Sequence, residues 1–404
     1  MVLVNDLNAR KWLLTYKFNK DDSYHIFNFR GPTIFSTADK EFHQIRKRLV
    51  APAFSNKNLA KMEPTIYKVG SDHLAQFISS SMGDEKEVVL DMYNLFHRST
   101  LDVIGELVFG QNLNCILDSK KADHYMNELK KTQLLIVLRT LCPSIFTLFT
   151  YPILTLFEPT ILKNINARRQ DPSLRNEDIL QSLIDAKDPE TGEQLTDVQI
   201  VDECVTLLFA GMDTTANTLT WVLYEILRHP EVYALIEKEI FTAFPNAEDV
   251  ATIERCKSEL PALEATILES MRLHPVAAGP MFKKVPQGGV TLNGQFIPEN
   301  TSVIFHVITY HLDPNYFENP KQFSIDRWLG PNREENKGKL LTFSMGPRGC
   351  VGRDLAWSEI YLVIVKLIRM FRMELVEKEP MKPELYFLYT PKDGKFDVKL
   401  TKRV

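Results

Sequence analysis

"FSMGPRGCVGRDLA", Phe343 to Ala356, sets one cysteine between two glycines and an arginine just where a helical pattern begins. A lone cysteine is by default a small hydrophobe that fills a core. The neighbours of Cys350 are of another kind. Gly346 and Gly352 let the backbone turn toward the sulfur or approach a flat group closely. The helix that starts beyond Cys350 points its positive end at the thiol, and positive potential with backbone N–H groups is what favours a thiolate. Arg348 offers a rigid fork of donors for a carboxylate. No second Cys or His lies near Cys350 in sequence, which removes a zinc site on ligand arithmetic.

Thiolates are strong iron ligands, and a thiolate on haem iron pushes electron density that favours O–O cleavage. The stretch therefore points to Cys350 as a haem-iron ligand, with Arg348 suited to a haem propionate. The rest of the chain agrees with an ordinary globular protein. Its 404 residues are 44% apolar and 25% charged, and the length allows roughly two to three domains or one large fold. With 48 basic and 52 acidic residues the formal net charge is −4, so nothing global argues for nucleic acid. Five scattered cysteines with no CxxC pair fit a reducing compartment.

Helical spacing of apolar residues predicts helices over 39–50, 57–80, 89–109 and 121–139. The uncharged stretch Thr140–Phe157 carries Pro143 and Pro152; a span needs about 20 apolar residues, so a buried or membrane-grazing pair of short helices is expected. Residues 168–194 read as a short helix and a turn. Thr196 and Gln199 have the spacing of a capping box, and the apolar run beyond them lasts to Arg228, before His229-Pro230. "AGMDTT" (210–215) interrupts it: Gly211 costs about 1 kcal/mol against alanine, and a polar, helix-weakening insert in a core helix marks a site. A hydroxyl beside a carboxylate there can hold a water and pass protons, which makes Thr214 the candidate hydroxyl and Asp213 the proton source. From Val285 the texture becomes short strands and turns, with a final hairpin expected around Asp393-Gly394.

Phe343-x-x-Gly346-x-Arg348-x-Cys350-x-Gly352 matches the haem-binding signature of the cytochrome P450 family. The chain resembles that family over residues 35–404, in wording most like its fungal microsomal members. "AGMDTT" resembles the family's A-G-x-D/E-T-T oxygen-activation motif. "ESMR" resembles its E-x-x-R: Glu269 and Arg272 stand one helical turn apart and can pair. "FSIDRWL" (323–329) resembles F-x-P-x-R-W, so Arg327 would complete the ion-pair cluster, with Ile325 where proline is usual. In the helix before "PAF" the family commonly uses W-x-x-x-R; those positions hold His43 and Lys47, both able to give a hydrogen bond or a charge. Lys283 stands where an arginine is usual, a point charge in place of a fork. Arg46 and Arg48 are expected on the outer face, as a basic patch steering an acidic electron donor. The resemblance puts Phe209 and Ala210, and Val276, Ala277 and Ala278 after "LHP", beside the substrate.

What the resemblance implies is a mostly α fold with a small β region, one catalytic domain over 1–404, helical over about 39–285 with the β region and ligand loop over about 286–404. It implies haem b, O2, an apolar small-molecule substrate, and electrons from an NADPH-dependent cytochrome P450 reductase, with cytochrome b5 as a further donor. A full-length form would sit at the cytosolic face of the endoplasmic reticulum membrane. Microsomal members begin with a membrane helix, a proline-rich hinge and the first strands of a β domain. This chain starts after them, so the remaining β region is expected to lack partner strands and leave an open edge. Two other readings stay open: a haem-thiolate isomerase or dehydratase that needs no proton relay, and a non-catalytic remnant that binds haem poorly.

Overall fold

The computed structural model describes residues 2–3, 14–142, 151–246, 248–292, 294–385 and 388–403. Six helices position the site: α1 (Lys40–Val50), α2 (Met92–Phe109), α3 (Ser119–Leu141), α4 (Asp197–Arg228), α5 (Pro261–Leu273) and α6 (Arg353–Met370). The capping box of α4 forms as expected: Thr196 Oγ1 accepts from the Gln199 N–H and Gln199 Oε1 from the Thr196 N–H. The helix then runs unbroken for 32 residues and is buried along most of its length. It packs lengthwise on α2 and also on α5 and α6. Gly211 serves that contact, since a Cβ there would lie 3.2 Å from Ile104 Cδ1 of α2.

The helix expected over 57–80 is interrupted. Asn56–Ile66 and His73–Met82 are α-helical, joined by a π-helical turn at Tyr67–Asp72. Pro64 removes a donor from the ladder, and Gly70 presses on α2, where a Cβ would collide with Val103. The segment 89–109 divides into a strand and α2, with Asp91 capping the helix through the Tyr93 N–H. Residues 143–150, inside the uncharged stretch, lie outside the described residues; Pro152–Gln170 after them is a helix. No helix among the described residues is long and apolar enough to cross a membrane.

Four strands form one sheet in the order β1 (Val2–Leu3), β7 (Ser302–His306), β4 (Pro280–Lys284), β2 (Asn19–Lys20). The expected open edge is corrected, since two-residue strands from the early part of the chain pair on both sides: β1 is parallel to β7 at Val303 and Ile304, and β2 antiparallel to β4 at Lys283 and Lys284. A second sheet places β11 (Asp397–Lys402) between β3 (Glu87–Asp91) and β8 (Phe371–Leu375). The final hairpin does not form. Gly394 turns the chain, but β10 (Tyr389–Pro391) pairs with β9 (Pro383–Leu385). β11 is drawn away because Val398 and Leu400 bury completely in the core. A small hairpin, β5 (Val290–Leu292) with β6 (Gln295–Ile297), completes the β region.

Candidate active site

The cysteine loop is closed by its own backbone. The Cys350 N–H donates to Phe343 O at 2.9 Å and the Gly349 N–H to Gly346 O at 3.1 Å. Gly346 has φ +71, and a Cβ there would collide with the Leu14 carbonyl oxygen. Gly352 has an ordinary φ of −86 and open space where a Cβ would stand, so it provides clearance and no special conformation. Cys350 is accessible to solvent yet set deep among protein atoms, as expected of a side chain facing an internal space. Burial pushes its thiol up; the N–H of Gly352 and the charge and N–H of Arg353 work against that, and Asp354 with it. The loop alone therefore does not ionise the sulfur. Bound haem iron would take the sulfur as a thiolate, and the N–H groups of Gly352 and Arg353 would hold that charge.

The start of this loop is tied to α5. Thr342 Oγ1 donates to Met271 O at 3.0 Å, and the Leu341 N–H donates to His311 Nε2 at 3.0 Å. Burial pushes His311 down to about 3, and its Nδ1–H donates to Arg272 O at 3.2 Å, so it stays a neutral bridge. Glu269 is the hub below. Arg272 grips it bidentately at 2.7 and 2.8 Å, Arg327 reaches it at 3.2 Å, and Trp328 Nε1 and the Ser324 N–H donate to it. The remaining Arg272 donors go to His311 O, Pro320 O and Gln322 O. The charges of E-x-x-R thus fix the segment that leads into the ligand loop. Ile325 in place of proline leaves the turn intact, with the Trp328 N–H on its carbonyl at 2.9 Å.

On α4, one short stretch faces open space. Ala210 is exposed, and Phe209, Gly211, Asp213 and Thr214 are half-buried, in a helix whose flanks are buried. Exposure in the middle of a core helix marks an internal cavity. Thr214 Oγ1 donates to Ala210 O at 2.7 Å, leaving its lone pairs to accept. Desolvation raises the Asp213 carboxyl, opposed by His97 and by a 2.6 Å bond from Gln133 Nε2.

The cationic side chains converge as well. β2 and β4 set Lys20 directly opposite Lys283, a like-charge pair that is destabilising unless an anion intervenes. Lys283 is only 5% exposed and makes no ion pair or side-chain hydrogen bond among the described residues. Burial first, then Arg348, pushes it down to about 8. Lys20 is pushed well down by burial, Arg348 and Lys283. Burial and the surrounding cations push His43 down to about 3, so it offers a hydrogen bond, shared with the Tyr16 hydroxyl at 2.7 Å, and no charge. Lys47 Nζ donates to Pro347 O at 2.7 Å, bridging α1 to the cysteine loop. The Arg348 fork is spent on carbonyls of Thr37, Ala38 and Asp39. No carboxylate lies within ion-pair distance of Lys20, Lys47, Lys283 or Arg348 among the described residues. Lys283 is a buried cation without an anion, which is costly, and the propionates of haem b are anions that would suit it and its half-buried neighbours Lys20, Lys47 and Arg348.

Of the substrate candidates, Val276 and Ala278 are buried and Ala277 is exposed; the Tyr389 N–H holds this segment through Val276 O at 2.8 Å. Arg46 corrects the expectation of an outer basic patch. It is buried, 3.5 Å from Glu203, while Arg48 is spent on Asp188 and Glu190. Sequence reasoning missed Lys20, Tyr16 and His311. None carries a local signal, and only the strand register and the loop packing bring them in.

The family model described as Cytochrome P450 matches residues 1–398. Among curated relatives, "Cytochrome P450 monooxygenase helB3" of Aspergillus fumigatus is 27% identical over 92% of this chain and 75% of its own length. "Cytochrome P450 monooxygenase ORF11" of Penicillium roqueforti is 29% identical over 90% of this chain and 76% of its own. The crystal structure of the cytochrome P450DA heme domain superposes with a TM-score of 0.85 at 22% identity, covering 100% of this chain and 87% of that one. A closed cysteine loop, a cationic cluster with no carboxylate beside it among the described residues and a match along nearly the whole chain lead to one assignment: this chain belongs to the cytochrome P450 family, haem oxidoreductases that incorporate oxygen from O2.

Proposed function

We propose that the chain inserts one oxygen atom into an apolar organic substrate: RH + O2 + 2 electrons + 2 protons give ROH + H2O. The electrons come from an NADPH-dependent flavoprotein reductase, with cytochrome b5 as a further donor. The protein belongs at the cytosolic face of the endoplasmic reticulum membrane; the support is the resemblance to microsomal members. The observation that carries the reading is the half-exposed stretch of α4, where Asp213 and Thr214 follow one another in a helix otherwise buried. An isomerase or dehydratase has no use for that pair, and a remnant has no reason to keep a closed cysteine loop.

Bound haem supplies the iron at which O2 is activated, with Cys350 as its thiolate ligand. Lys20, Lys47 and Lys283 hold the propionates, and His43 adds a neutral hydrogen bond. Thr214, its own hydrogen given to Ala210 O, accepts a hydrogen bond from a water in the cavity and orients it. Asp213 is the acid that recharges that water. Ala210 and Ala277 leave room beside Phe209 for a bulky apolar substrate.

The test is the carbon monoxide difference spectrum of the dithionite-reduced protein. A strongly red-shifted Soret band is expected, lost in Cys350→Ser. Thr214→Ala should keep the band but divert reducing equivalents to hydrogen peroxide. Absence of the red-shifted band in the unaltered protein defeats the haem-thiolate reading, and fully coupled turnover of Thr214→Ala defeats the relay.

A further inference from the structure

Asp213 is held from behind by a residue that neither the motif nor the site accounts for. Its Oδ2 takes the bond from Gln133 of α3, and its Oδ1 lies 3.5 Å from His97 Nε2 of α2. The His97 side chain is 3% exposed and that of Asp213 15%, so of the two it is the carboxyl that keeps some access to open space. His97 Nδ1 meets the Tyr93 carbonyl oxygen at 2.8 Å. A carbonyl only accepts, so Nδ1 carries its hydrogen and Nε2 is the atom whose hydrogen varies. Two partners face Nε2 and ask for opposite states. Asp213 Oδ1 accepts, whereas Asn217 Nδ2, at 3.4 Å, donates. The other hydrogen of that amide goes to Asp213 O at 2.8 Å. Neutral His97 is satisfied by Asn217 and the imidazolium by Asp213, so the ring gains or loses a proton without moving. A histidine that only filled the core would need one such partner.

We propose that His97 is a positioning residue for the oxygen chemistry, whose Nε2–H reloads the Asp213 carboxylate after that carboxyl has given its proton to the cavity. This rests on the relay reading of Asp213 and Thr214. In the step the His97 Nε2–H bond breaks and an Asp213 Oδ1–H bond forms; no electron moves, and the neutral imidazole recovers a proton from solvent. The groups that meet the imidazole are Asp213 and Asn217 from α4 and the Tyr93 ring of its own helix, tilted by 43° with centroids 4.3 Å apart. α3 sends Gln133, and the charge of Lys130, to Asp213. No ion pair or hydrogen bond from the other elements packed on α2 reaches His97 among the described residues.

The holoenzyme can be tested without knowing its substrate. Electrons from a photoreduced flavin reduce O2 either to peroxide (O2 + 2 electrons + 2 protons) or to water (O2 + 4 electrons + 4 protons), and a failing proton supply favours peroxide. His97→Gln and His97→Asn keep a hydrogen-bonding shape but carry no proton. Both should retain haem and the thiolate–CO band and raise the peroxide share several-fold, toward that of Asp213→Asn. They should also change its pH profile. The double variant His97→Gln/Asp213→Asn should leak no more than Asp213→Asn. Independently of turnover, infrared difference spectra against Asp213→Asn should show more protonated Asp213 carboxyl in His97→Gln at neutral pH, because the cation opposing that protonation is gone. If both histidine variants keep the parent peroxide share and pH profile while Asp213→Asn leaks, His97 is only structural and the relay stands. If Asp213→Asn does not leak either, both readings fall. A leak confined to one amide is a packing fault and counts against the proposal.

Discussion

Glu359 is buried on α6, and burial alone pushes its carboxyl up to about 8. In the unfolded chain a glutamate titrates near 4.3, so between about pH 4 and 8 the folded state holds the extra proton. Stability contributed by this group is full below the unfolded value, falls as pH rises toward 8 and is flat above it. Glu359→Gln removes that slope. Thermal unfolding of the variant should match the parent near pH 5 and exceed it by a few degrees at pH 9; equal curves at both pH values would mean the carboxyl finds a partner. Legibility at this scale was uneven. Cys350, Gly346 and Arg348 could be read from their spacing. For Arg348 the use differs from the expectation: three of its bonds brace the chain ahead of α1, and its charge acts on Lys283, Lys20 and His43. Lys283 was legible as a position. Lys20 was not, because only the register of a two-residue strand sets it opposite Lys283.

Between elements, the decisive contact is the strap from α5 to the ligand loop. His311 joins Arg272 O to the Leu341 N–H and, pushed down to about 3, is neutral at ordinary pH, so its role is geometric. His311→Ala leaves a buried donor and a buried acceptor unpaired, costing about 2–4 kcal/mol. A lower melting temperature is expected, together with a lower haem-to-protein ratio by the pyridine haemochromogen assay. A full haem load at a lower melting temperature would show that the loop holds its shape without the strap. Helix spacing and the capping box of α4 were readable to the residue because local chemistry decides them. The last hairpin was misread because partner choice in a sheet is a long-range matter. β11 finds two partners far away in the chain, and the turn at Gly394 says nothing about which. The side of α1 that Arg46 faces was likewise decided by Glu203, a residue on another helix.

Taken whole, the cationic cluster is assembled from three remote pieces of chain: residues 16–48, Lys283, and the loop 343–352. Arg30 adds a clasp to Glu158 and Asp202, and the Ile34 N–H another to Glu203. A ligand that binds only the folded state stabilises it by mass action, and here that ligand also neutralises cations that repel one another. Removing haem should speed amide hydrogen exchange in residues 14–37 and 343–352 far more than in α2 or α6. Lys20→Gln with Lys283→Gln should shrink that difference by relieving the repulsion. Uniform exchange with and without haem would mean the clasp holds the segment by itself. Gly211 has a last consequence at this scale. With no side chain of its own, it lets Ile104 act as a shim that sets how far the central helix stands from its neighbour. The space beside the half-exposed stretch 209–214 is then tuned through that spacing. Variation at residue 104 is a route to altered substrate choice that leaves every wall residue in place.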